Sequence, residues 1–244
     1  MLEYIRTSKC LQLTGVVGLY AANTVGTEDV EVYADETRTQ VLAKFCMLRQ
    51  QAEKDDPSAE YLSLADFVAP KETKVPDYMG MFACACMGCE VEVLKHEANQ
   101  DDYSKIMVQA LADRLVEALA EAIHKDMRTS LWGYAPNETL SEEELLKVKY
   151  QGIRPAPGYP SQPDHTEKIT MWELMKVEDL TGIELSESLS MMPASSVSAL
   201  CFGHQQSEYF AVGQVTKDQV EDYNARKGYD IEKTERWLSP LLSY

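Results

Sequence analysis

The spacing of hydrophobic and polar residues predicts short strands in the first third of the chain. Residues 15–20 and 30–33 are β-rich runs, and the sequence between them is typical of a loop. Hydrophobic residues in 37–52 have a spacing that suits either a helix or a strand. Residues 62–68 indicate a strand or a turn that leads into a loop, and 71–77 is the most linker-like segment of the first half.

A long helix is the clearest predicted element. Residues 101–131 contain neither proline nor glycine, with acidic residues at the start and basic residues near the end, as the helix dipole favours. Hydrophobic side chains recur on one helical stripe, at Met107, Leu111, Leu115, Leu119 and Ala122. Asp113, Glu117 and Glu121 lie beside this stripe at i, i+4 spacing. That pattern is more often a solvated face than a set of catalytic carboxylates.

Capping signals predict four later helices. The predicted helices begin at Ser141, Thr170, Thr216 and Asp230, and the last three end at Gly182, Gly228 and Pro240. Residues 195–202 and 209–215 alternate like two strands. The five residues between these runs predict a hairpin with a five-residue loop.

The order of these elements indicates a mixed α+β fold with an antiparallel sheet. Strands and helices do not alternate regularly, and no internal repeat is visible. No Gly-x-Gly-x-x-Gly sequence follows a predicted strand, which disfavours a Rossmann methyltransferase or dehydrogenase.

Composition and charge narrow the class of protein. The 244 residues carry a formal net charge of -17, which repels phosphate backbones and makes nucleic acid an unfavoured partner. No apolar run reaches the roughly 20 residues of a membrane span, and the start lacks the order of a secretory signal. We therefore expect a cytoplasmic protein with no membrane partner.

The six cysteines raise the question of a metal site. Cys84, Cys86 and Cys89 form a cluster, but no second pair of Cys or His follows at the spacing that structural zinc requires. The cluster continues an apolar stretch in which small thiols pack well. We predict buried structural cysteines in a reducing compartment, with no metal ligands.

A proline-rich segment, residues 151–168, is the strongest candidate for chemistry. Its prolines, which fix φ and remove backbone donors, are Pro155, Pro157, Pro160 and Pro163. We expect a stiff, extended segment whose carbonyls are free to accept hydrogen bonds from a ligand. Arg154 offers a planar fork for a carboxylate, Gly158 permits close approach, and Tyr159 offers an aromatic face for a cation. The alternative is a surface crossing in which Arg154 pairs with a local acid.

His165 lies in the same segment, between Asp164 and Thr166. It could serve as a proton relay, because histidine is the commonest acid–base residue. A hydrogen-bonded histidine in a loop is the favoured interpretation, and we predict no catalytic residue in this chain.

The sequence Arg154 to Pro160 resembles the Arg-x-x-x-Gly-Tyr-Pro motif of the activation domain of cobalamin-dependent methionine synthase. Other stretches resemble that family in the same order, namely residues 15–23, 35–38, 48–51, 64–70, 101–103, 112–115, 132–134, 163–168, 207–212 and 218–223. The resemblance covers about residues 14–244. It implies a single activation domain over residues 1–244, with a twisted antiparallel sheet flanked by helices and a non-Rossmann AdoMet site.

The resemblance also implies roles for individual residues. Arg154 would bind the AdoMet carboxylate, while Ala156 and Gly158 contribute backbone contacts. Two aromatic residues on the second strand of the predicted hairpin, Tyr209 and Phe210, would complete the groove. Two further residues, Tyr159 and Asp113, would face the cobalamin side or contact the cobalamin-binding module.

The family's activity implies the partners. AdoMet donates a methyl group to cobalamin held by another module, and a flavodoxin or a diflavin methionine synthase reductase supplies one electron. The resulting methylcobalamin maintains methionine synthesis from homocysteine. Zinc would be present only in the homocysteine module, which these residues lack, as they lack the folate and cobalamin modules.

The chain departs from the family pattern in several places. Nothing before Gly15 resembles the family's additional N-terminal segment, which includes an acidic side chain that meets the AdoMet ammonium. Ala199, Cys201 and Glu208 differ from the residues usual in the family, and 84–96 matches poorly. The missing N-terminal segment supports one alternative, a stand-alone AdoMet-binding or docking protein without chemistry. A further alternative, an AdoMet methyltransferase for another substrate, is disfavoured by the absence of a Rossmann pattern and of an evident base.

Overall fold

The computed structural model describes residues 1–56 and 58–244 and has the mixed helix and strand composition predicted from the sequence. The strands are β1 Gln12–Val25, β2 Asp29–Tyr33, β3 Val41–Cys46, β4 Asp77–Met87, β5 Glu184–Leu185, β6 Met191–Met192 and β7 Ser196–Cys201. The α-helices are α1 Leu2–Ser8, α2 Cys89–Ala98, α3 Asp102–Asp126, α4 Glu142–Leu146, α5 Glu167–Met175, α6 Val177–Thr181, α7 Lys217–Lys227 and α8 Ile231–Leu238. The main sheet has the order β3-β2-β1-β4-β7, and β5 pairs with β6. An antiparallel sheet flanked by helices is thus confirmed.

The predicted strands near the start of the chain are confirmed. Strands β1 and β2 form an antiparallel hairpin in which Ala22 lies opposite Val32. The ambiguous segment 37–52 contains strand β3, which pairs antiparallel with β2 so that Phe45 lies opposite Val30. Both of these side chains are fully buried, so hydrophobic burial determines the register.

The two segments that follow β3 contain short helical turns. Leu64–Phe67 is a 3₁₀ helix with a capping box formed by Ser63 and Asp66, so the turn alternative is the correct one for 62–68. The segment predicted to be a linker contains a second 3₁₀ helix, Lys71–Thr73, and ends where β4 begins.

The predicted long helix is confirmed as α3, and Met127–Leu131 continues it as a π-helical turn. The predicted hydrophobic stripe is only partly buried, and Ala122 is exposed. The buried stripe is its neighbour, which consists of Val108, Ala112, Val116, Ala120 and His124. Four of these five residues are smaller than leucine: two are valines and two are alanines. Size governs this packing, and hydrophobicity alone misplaced the buried face by about one residue.

The later helices are confirmed with two corrections. Helix α4 has the predicted capping box, α6 ends at Gly182, and α7 ends at Gly228. The helix predicted from Thr170 begins at Glu167 instead. It is also divided in two, because Lys176 adopts a left-handed conformation with φ of 52° between α5 and α6.

The predicted hairpin after residue 195 is wrong in its second half. Strand β7 is present, but residues 207–214 form no strand. Val215 makes an isolated parallel bridge to Leu242 instead. Residues 207–215 form their backbone hydrogen bonds with loops and with the C-terminal residues. The alternation of hydrophobic and polar residues therefore did not indicate a strand here.

The chain divides into two compact units, and the prediction of a single domain stays a prediction. Unit 1 comprises Met1–Gly18, Met81–Pro136 and Met171–Ala199, and unit 2 comprises Leu19–Gly80, Asn137–Thr170 and Leu200–Tyr244. Unit 1 has a core that includes Met81, Phe82 and Val108, and unit 2 has one that includes Val30, Phe45 and Leu64. Among the described residues, no helix is long and apolar enough to cross a membrane.

Candidate functional site

The proline-rich segment begins as a short strand-like edge within unit 2. The backbone N–H of Ile153 donates to the carbonyl of Phe202 at 3.0 Å, and the N–H of Phe202 donates back to Ile153 at 3.0 Å. The N–H of Leu200 donates to the carbonyl of Pro155 at 2.9 Å. The start of the segment is therefore held in register with the chain at the end of β7.

A tight turn follows at residues 156–159. Pro157 occupies its second position, Gly158 has φ of 96° at its third, and the N–H of Tyr159 donates to the carbonyl of Ala156 at 3.1 Å. These are the features of a type II turn. A Cβ atom on Gly158 would overlap the ring of His165, so this position requires glycine both for its φ and for space.

Six of the ten carbonyls in residues 153–162 already have backbone partners, which corrects the prediction that the carbonyls are free for a ligand. The carbonyls of Ile153, Pro155, Ala156, Tyr159, Pro160 and Gln162 all accept backbone hydrogen bonds. Within the described part of the chain, the N–H of Ala156 and the carbonyls of Pro157 and Gly158 make no hydrogen bond. Three backbone groups at the turn are therefore available to a ligand.

The irregular segment 209–212 lies against this turn. The hydroxyl of Tyr209 accepts a hydrogen bond from the N–H of Arg154 at 3.0 Å. The hydroxyl of Ser161 donates to the carbonyl of Phe210 at 2.5 Å and accepts from its N–H at 3.2 Å. The N–H of Val212 donates to the carbonyl of Pro160 at 2.9 Å. The structure thus brings Arg154, the turn, Tyr209 and Phe210 together through loop contacts and not through a hairpin, and their roles in binding stay predictions.

The two sides of this arrangement differ in exposure. Arg154 and Phe210 are half-buried, while Tyr159 at the tip of the turn is 65% exposed. Burial raises the pKa of the Tyr209 phenol above its usual value, while the Arg154 N–H opposes that shift. The phenol therefore stays neutral near pH 7, when it can both accept from Arg154 and donate a hydrogen bond.

Behind the turn, a buried cluster of charged side chains holds the end of the segment. Glu167 and Lys227 form an ion pair with 2.7 Å between Oε1 and Nζ, and Asp164 Oδ2 lies 3.8 Å from the same Nζ. The hydroxyl of Tyr223 donates to Asp164 at 2.7 Å, and the N–H of Cys46 donates to Glu167 at 3.2 Å. Helix α7 and the end of β3 are thereby linked to the segment.

The electrostatics of this cluster are unbalanced. Two carboxylates face one ammonium group, and Glu167 Oε2 is buried without a hydrogen-bond partner. Burial raises the pKa of Glu167 to about 7, against the opposing effect of Lys227. Burial also disfavours the charged form of Lys227, but Glu167 and Asp164 together hold its pKa above the usual value.

His165 lies in the turn before α5, with its ring against Gly158 and 6.1 Å from the ring of Trp237, between centroids. Its Nδ1 atom is buried and has no hydrogen-bond partner among the described residues. The predicted hydrogen-bonded histidine is therefore not observed at Nδ1. Burial, reinforced by Lys168, lowers the pKa of His165.

Asp113 belongs to unit 1, whereas all the other predicted site residues belong to unit 2. It is exposed on α3 and accepts a hydrogen bond from the hydroxyl of Ser195 at 2.6 Å. With Arg114, Glu117 and Ser196, these two residues help to line a cavity of about 470 Å³. Asp113 and Glu117 thus form a solvated face, as the i, i+4 spacing indicated, whereas Glu121 is partly buried and does not belong to it.

The cysteine cluster is buried, as predicted. Cys84 and Cys86 lie in β4 with no exposed surface, and Cys89 begins α2 with 6% exposure. Burial raises the pKa of Cys86 and of Cys89 to about 11, so neither forms a thiolate readily at neutral pH. Over residues 1–56 and 58–244, no group of three or more His, Cys, Asp or Glu side chains is arranged to hold a metal ion.

Several residues that hold the site were missed in the sequence. Ser161 joins the segment to Phe210, Gln162 donates to the carbonyl of Cys46 at 3.0 Å, and Lys227 pairs with Glu167. Their partners lie 49 to 116 residues away in sequence, and no local spacing signals such contacts. A charged side chain that is buried requires a partner of opposite charge, and only this requirement could have directed attention to Glu167.

The antiparallel sheet flanked by helices defines a mixed α+β domain and not a Rossmann fold. A sequence model described as "Vitamin B12 dependent methionine synthase, activation domain" matches residues 1–228. Among solved structures, the chain is similar to a crystal structure of the MetH reactivation domain bound to AdoHcy, with 53% identity and a TM-score of 0.96. That similarity covers 100% of this chain and 74% of the other. The chain belongs to the family of activation domains of vitamin B12-dependent methionine synthase.

Proposed function

We propose that this chain binds AdoMet at the turn of residues 156–159 and supports the reductive methylation of cob(II)alamin to methylcobalamin. The observation that carries the proposal is the similarity over the whole chain to a MetH reactivation domain bound to AdoHcy. AdoHcy is AdoMet without its transferable methyl group. A site that holds one therefore suits the other.

The groups at the turn fit the polar ends of such a ligand. Arg154 precedes the turn and offers a guanidinium group whose fork matches a carboxylate. The N–H of Ala156 is an available donor, and the carbonyls of Pro157 and Gly158 are available acceptors for an ammonium or an amino group. The backbone at the turn is fixed by Pro157 and by hydrogen bonds, so little ordering is required when a ligand binds.

The aromatic residues beside the turn supply apolar surface. Tyr209 is 48% exposed, and Phe210 is half-buried against the core of the C-terminal helices. We assign these two side chains to the wall of the groove. The phenol of Tyr209 is fixed by Arg154, and it therefore couples the wall to the residue that binds the carboxylate.

Two further residues are proposed to meet the module that holds cobalamin. Tyr159 projects at the tip of the turn, and Asp113 is exposed on α3. The proposed partners are that module and an electron donor of the flavodoxin or diflavin reductase type, in the cytoplasm. Zinc belongs to a homocysteine module and has no proposed site here.

The residues of this chain position the reactants. AdoMet supplies an electrophilic methyl group, which cobalamin accepts together with one electron, so that methylcobalamin and AdoHcy are the products. Arg154 and the turn would fix the donor, and no side chain needs to remove a proton because the reaction transfers none. Such catalysis by positioning is effective when both reactants are already reactive.

A reconstituted reaction tests this proposal. The chain is mixed with a cobalamin-binding module of a vitamin B12-dependent methionine synthase, an electron donor and AdoMet, and methylcobalamin formation is followed by absorbance. We expect methylcobalamin only when all four components are present, and a lower rate with Arg154→Ala. The matched control is Arg6→Ala, since Arg6 is a 78% exposed arginine in α1.

The second candidate function is AdoMet binding or docking without chemistry. It is favoured by the description of the similar MetH reactivation domain, which names a bound AdoHcy and no reaction. Binding of AdoHcy without any methylcobalamin in the complete mixture would support this alternative and contradict the first.

A further inference from the structure

The last 15 residues of the chain make two contacts with residues that support the proposed AdoMet site. Residues 230–244 contain α8 and a short 3₁₀ helix, Ser239–Leu241, and they lie beyond the region matched by the family's sequence model. No role in the site follows from the family motif for this segment. Its contacts are nevertheless with the residues that fix the turn.

The first contact runs through two rings. Trp237 on α8 lies 6.1 Å from His165 between ring centroids, with an angle of 52° between the rings. His165 in turn lies directly against Gly158, with no room for a Cβ atom between them. Trp237 thus supports Gly158, on which the turn depends, through the side chain of His165.

The second contact holds the segment that carries the aromatic wall. The N–H of Val215 donates to the carbonyl of Leu241 at 2.9 Å, and the N–H of Ser243 donates to the carbonyl of Val215 at 3.1 Å. Val212 and Val215 are buried in one core cluster with Leu238, and Phe210 packs against that cluster. The N–H of Val212 donates to Pro160 at 2.9 Å, so this support also reaches the turn.

We infer that Trp237 is a positioning residue for the AdoMet site: it packs against the ring of His165, holds that ring against Gly158 and so preorganises the turn of residues 156–159. This inference rests on the proposed AdoMet site, and it assigns to α8 a role that the family motif does not contain. Preorganisation raises ligand affinity because the cost of ordering the turn is met during folding.

The charge state of His165 allows the positioning role of Trp237 to be measured. Two charged groups act on the His165 ring: Lys168 opposes its protonation, and Asp164 favours it. Trp237, which contacts the ring from α8, carries no charge. The Nδ1 atom is buried and has no hydrogen-bond partner among the described residues, so an imidazolium here would hold an N–H without a partner. Protonation therefore opposes the ordered turn, and we expect removal of Trp237 to open Nδ1 to water.

The test uses Trp237→Ala and Trp237→Phe, with Trp132→Ala as the matched control because Trp132 is a half-buried tryptophan of unit 1. Amide hydrogen exchange is measured at Gly158, whose N–H donates to the carbonyl of Gln162 at 2.7 Å. The His165 ring is titrated by NMR, and AdoHcy affinity is measured by calorimetry between pH 5.5 and 8.

We expect Trp237→Ala to speed exchange at Gly158 by about tenfold or more while amides of β2 stay protected, since local opening is enhanced without global unfolding. In Trp237→Ala we also expect a higher pKa of His165 than in wild type. AdoHcy binding should then weaken at a correspondingly higher pH. Trp237→Phe restores most of both properties, and Trp132→Ala changes neither. A purely structural role of Trp237 would alter stability without moving the pH at which binding weakens.

Unchanged Gly158 exchange and an unchanged His165 titration in Trp237→Ala would overturn the inference. If Trp237→Ala does not fold, Trp237→Leu replaces it, since leucine keeps apolar volume and removes the ring. Failure of the proposed function is a separate outcome: the wild-type chain then does not bind AdoHcy, and the exchange and titration data still decide whether Trp237 orders the turn.

Discussion

The hydroxyl of Tyr209 accepts a hydrogen bond from the backbone N–H of Arg154, with 3.0 Å between the two atoms. The two residues are 55 positions apart in sequence, and neither lies in a helix or a strand of the main sheet. This bond ties the residue proposed to bind the AdoMet carboxylate to the aromatic wall beside it. The site is therefore built from two loops that order each other.

Tyr209→Phe tests that connection. The change removes the acceptor for the Arg154 N–H and keeps the ring, so we expect a loss of about 0.5–1.5 kcal/mol in unfolding free energy. AdoHcy affinity should fall roughly twofold to tenfold, because the position of Arg154 is less restricted. Chemical denaturation and calorimetry measure the two quantities. Tyr61→Phe is the control, since Tyr61 is 40% exposed in the same unit; equal effects of the two changes would refute a specific role for Tyr209.

Gly158→Ala should disrupt the turn. An alanine there combines an unfavourable φ of 96° with overlap between its Cβ and the His165 ring. We expect a loss of about 1–3 kcal/mol in unfolding free energy, with much weaker AdoHcy binding. Gly26→Ala is a matched control, because Gly26 has φ of 63° but open space around it. If the two variants lose the same stability, crowding by His165 makes no contribution.

The buried ion pair predicts an unusual pH dependence of stability. The pKa of Glu167 is raised to about 7 in the folded protein, so the folded state holds a proton that the unfolded state releases near pH 4.5. The stability contributed by protonated Glu167 is present below pH 4.5 and is lost as the pH rises to about 7. Each pKa unit corresponds to about 1.4 kcal/mol.

Glu167→Gln isolates this contribution. We expect wild type to lose stability relative to Glu167→Gln as the pH rises from 4.5 to 7. Above pH 7 the difference in unfolding free energy should stay constant. Urea denaturation at a series of pH values measures it. Glu178→Gln, a change at an exposed position of α6, serves as control. A difference that grows with rising pH would have the wrong sign and would exclude a raised pKa for Glu167.

The buried cysteines should resist alkylation in the folded protein. The pKa values of Cys86 and Cys89 are raised to about 11 and their side chains are buried, so iodoacetamide meets neither a thiolate nor an accessible sulfur at pH 7.5. We expect mass spectrometry to find modification first at Cys10, which is only partly buried. Urea should expose all six thiols at similar rates. Early labelling of Cys86 or Cys89 in the native chain would contradict this account.

The sequence predicted elements well where the signal is local. Capping residues placed α4 and α7, and the absence of proline and glycine placed α3, because each of these effects acts within a few residues. The assignment of 209–215 to a strand failed since its alternation arises from packing against α8 and the C-terminus. Likewise, the division between α5 and α6 at Lys176 has no sequence signal.

The candidate site shows the same division. The motif from Arg154 to Pro160 predicted a stiff, extended segment, whereas the structure has a type II turn at residues 156–159. Pro157 and Gly158 are sufficient reason for that turn. The motif did not predict that six carbonyls of residues 153–162 are already paired. Three of their partners come from residues 200–212, and the other three belong to the turn and the residues next to it. Nor did it predict the pair of Glu167 and Lys227, whose members are 60 residues apart.

The most direct test of the central claim is a calorimetric titration of the 244-residue chain with AdoHcy, repeated with Arg154→Ala and with Arg6→Ala. We predict one saturable site in wild type and in Arg6→Ala. Arg154→Ala should bind about 10- to 100-fold more weakly, the effect of losing a charge-assisted hydrogen bond of about 1.5–3 kcal/mol. Absence of binding in the folded wild-type chain, or equal affinity in all three proteins, would contradict the assignment of the AdoMet site to Arg154 and its turn.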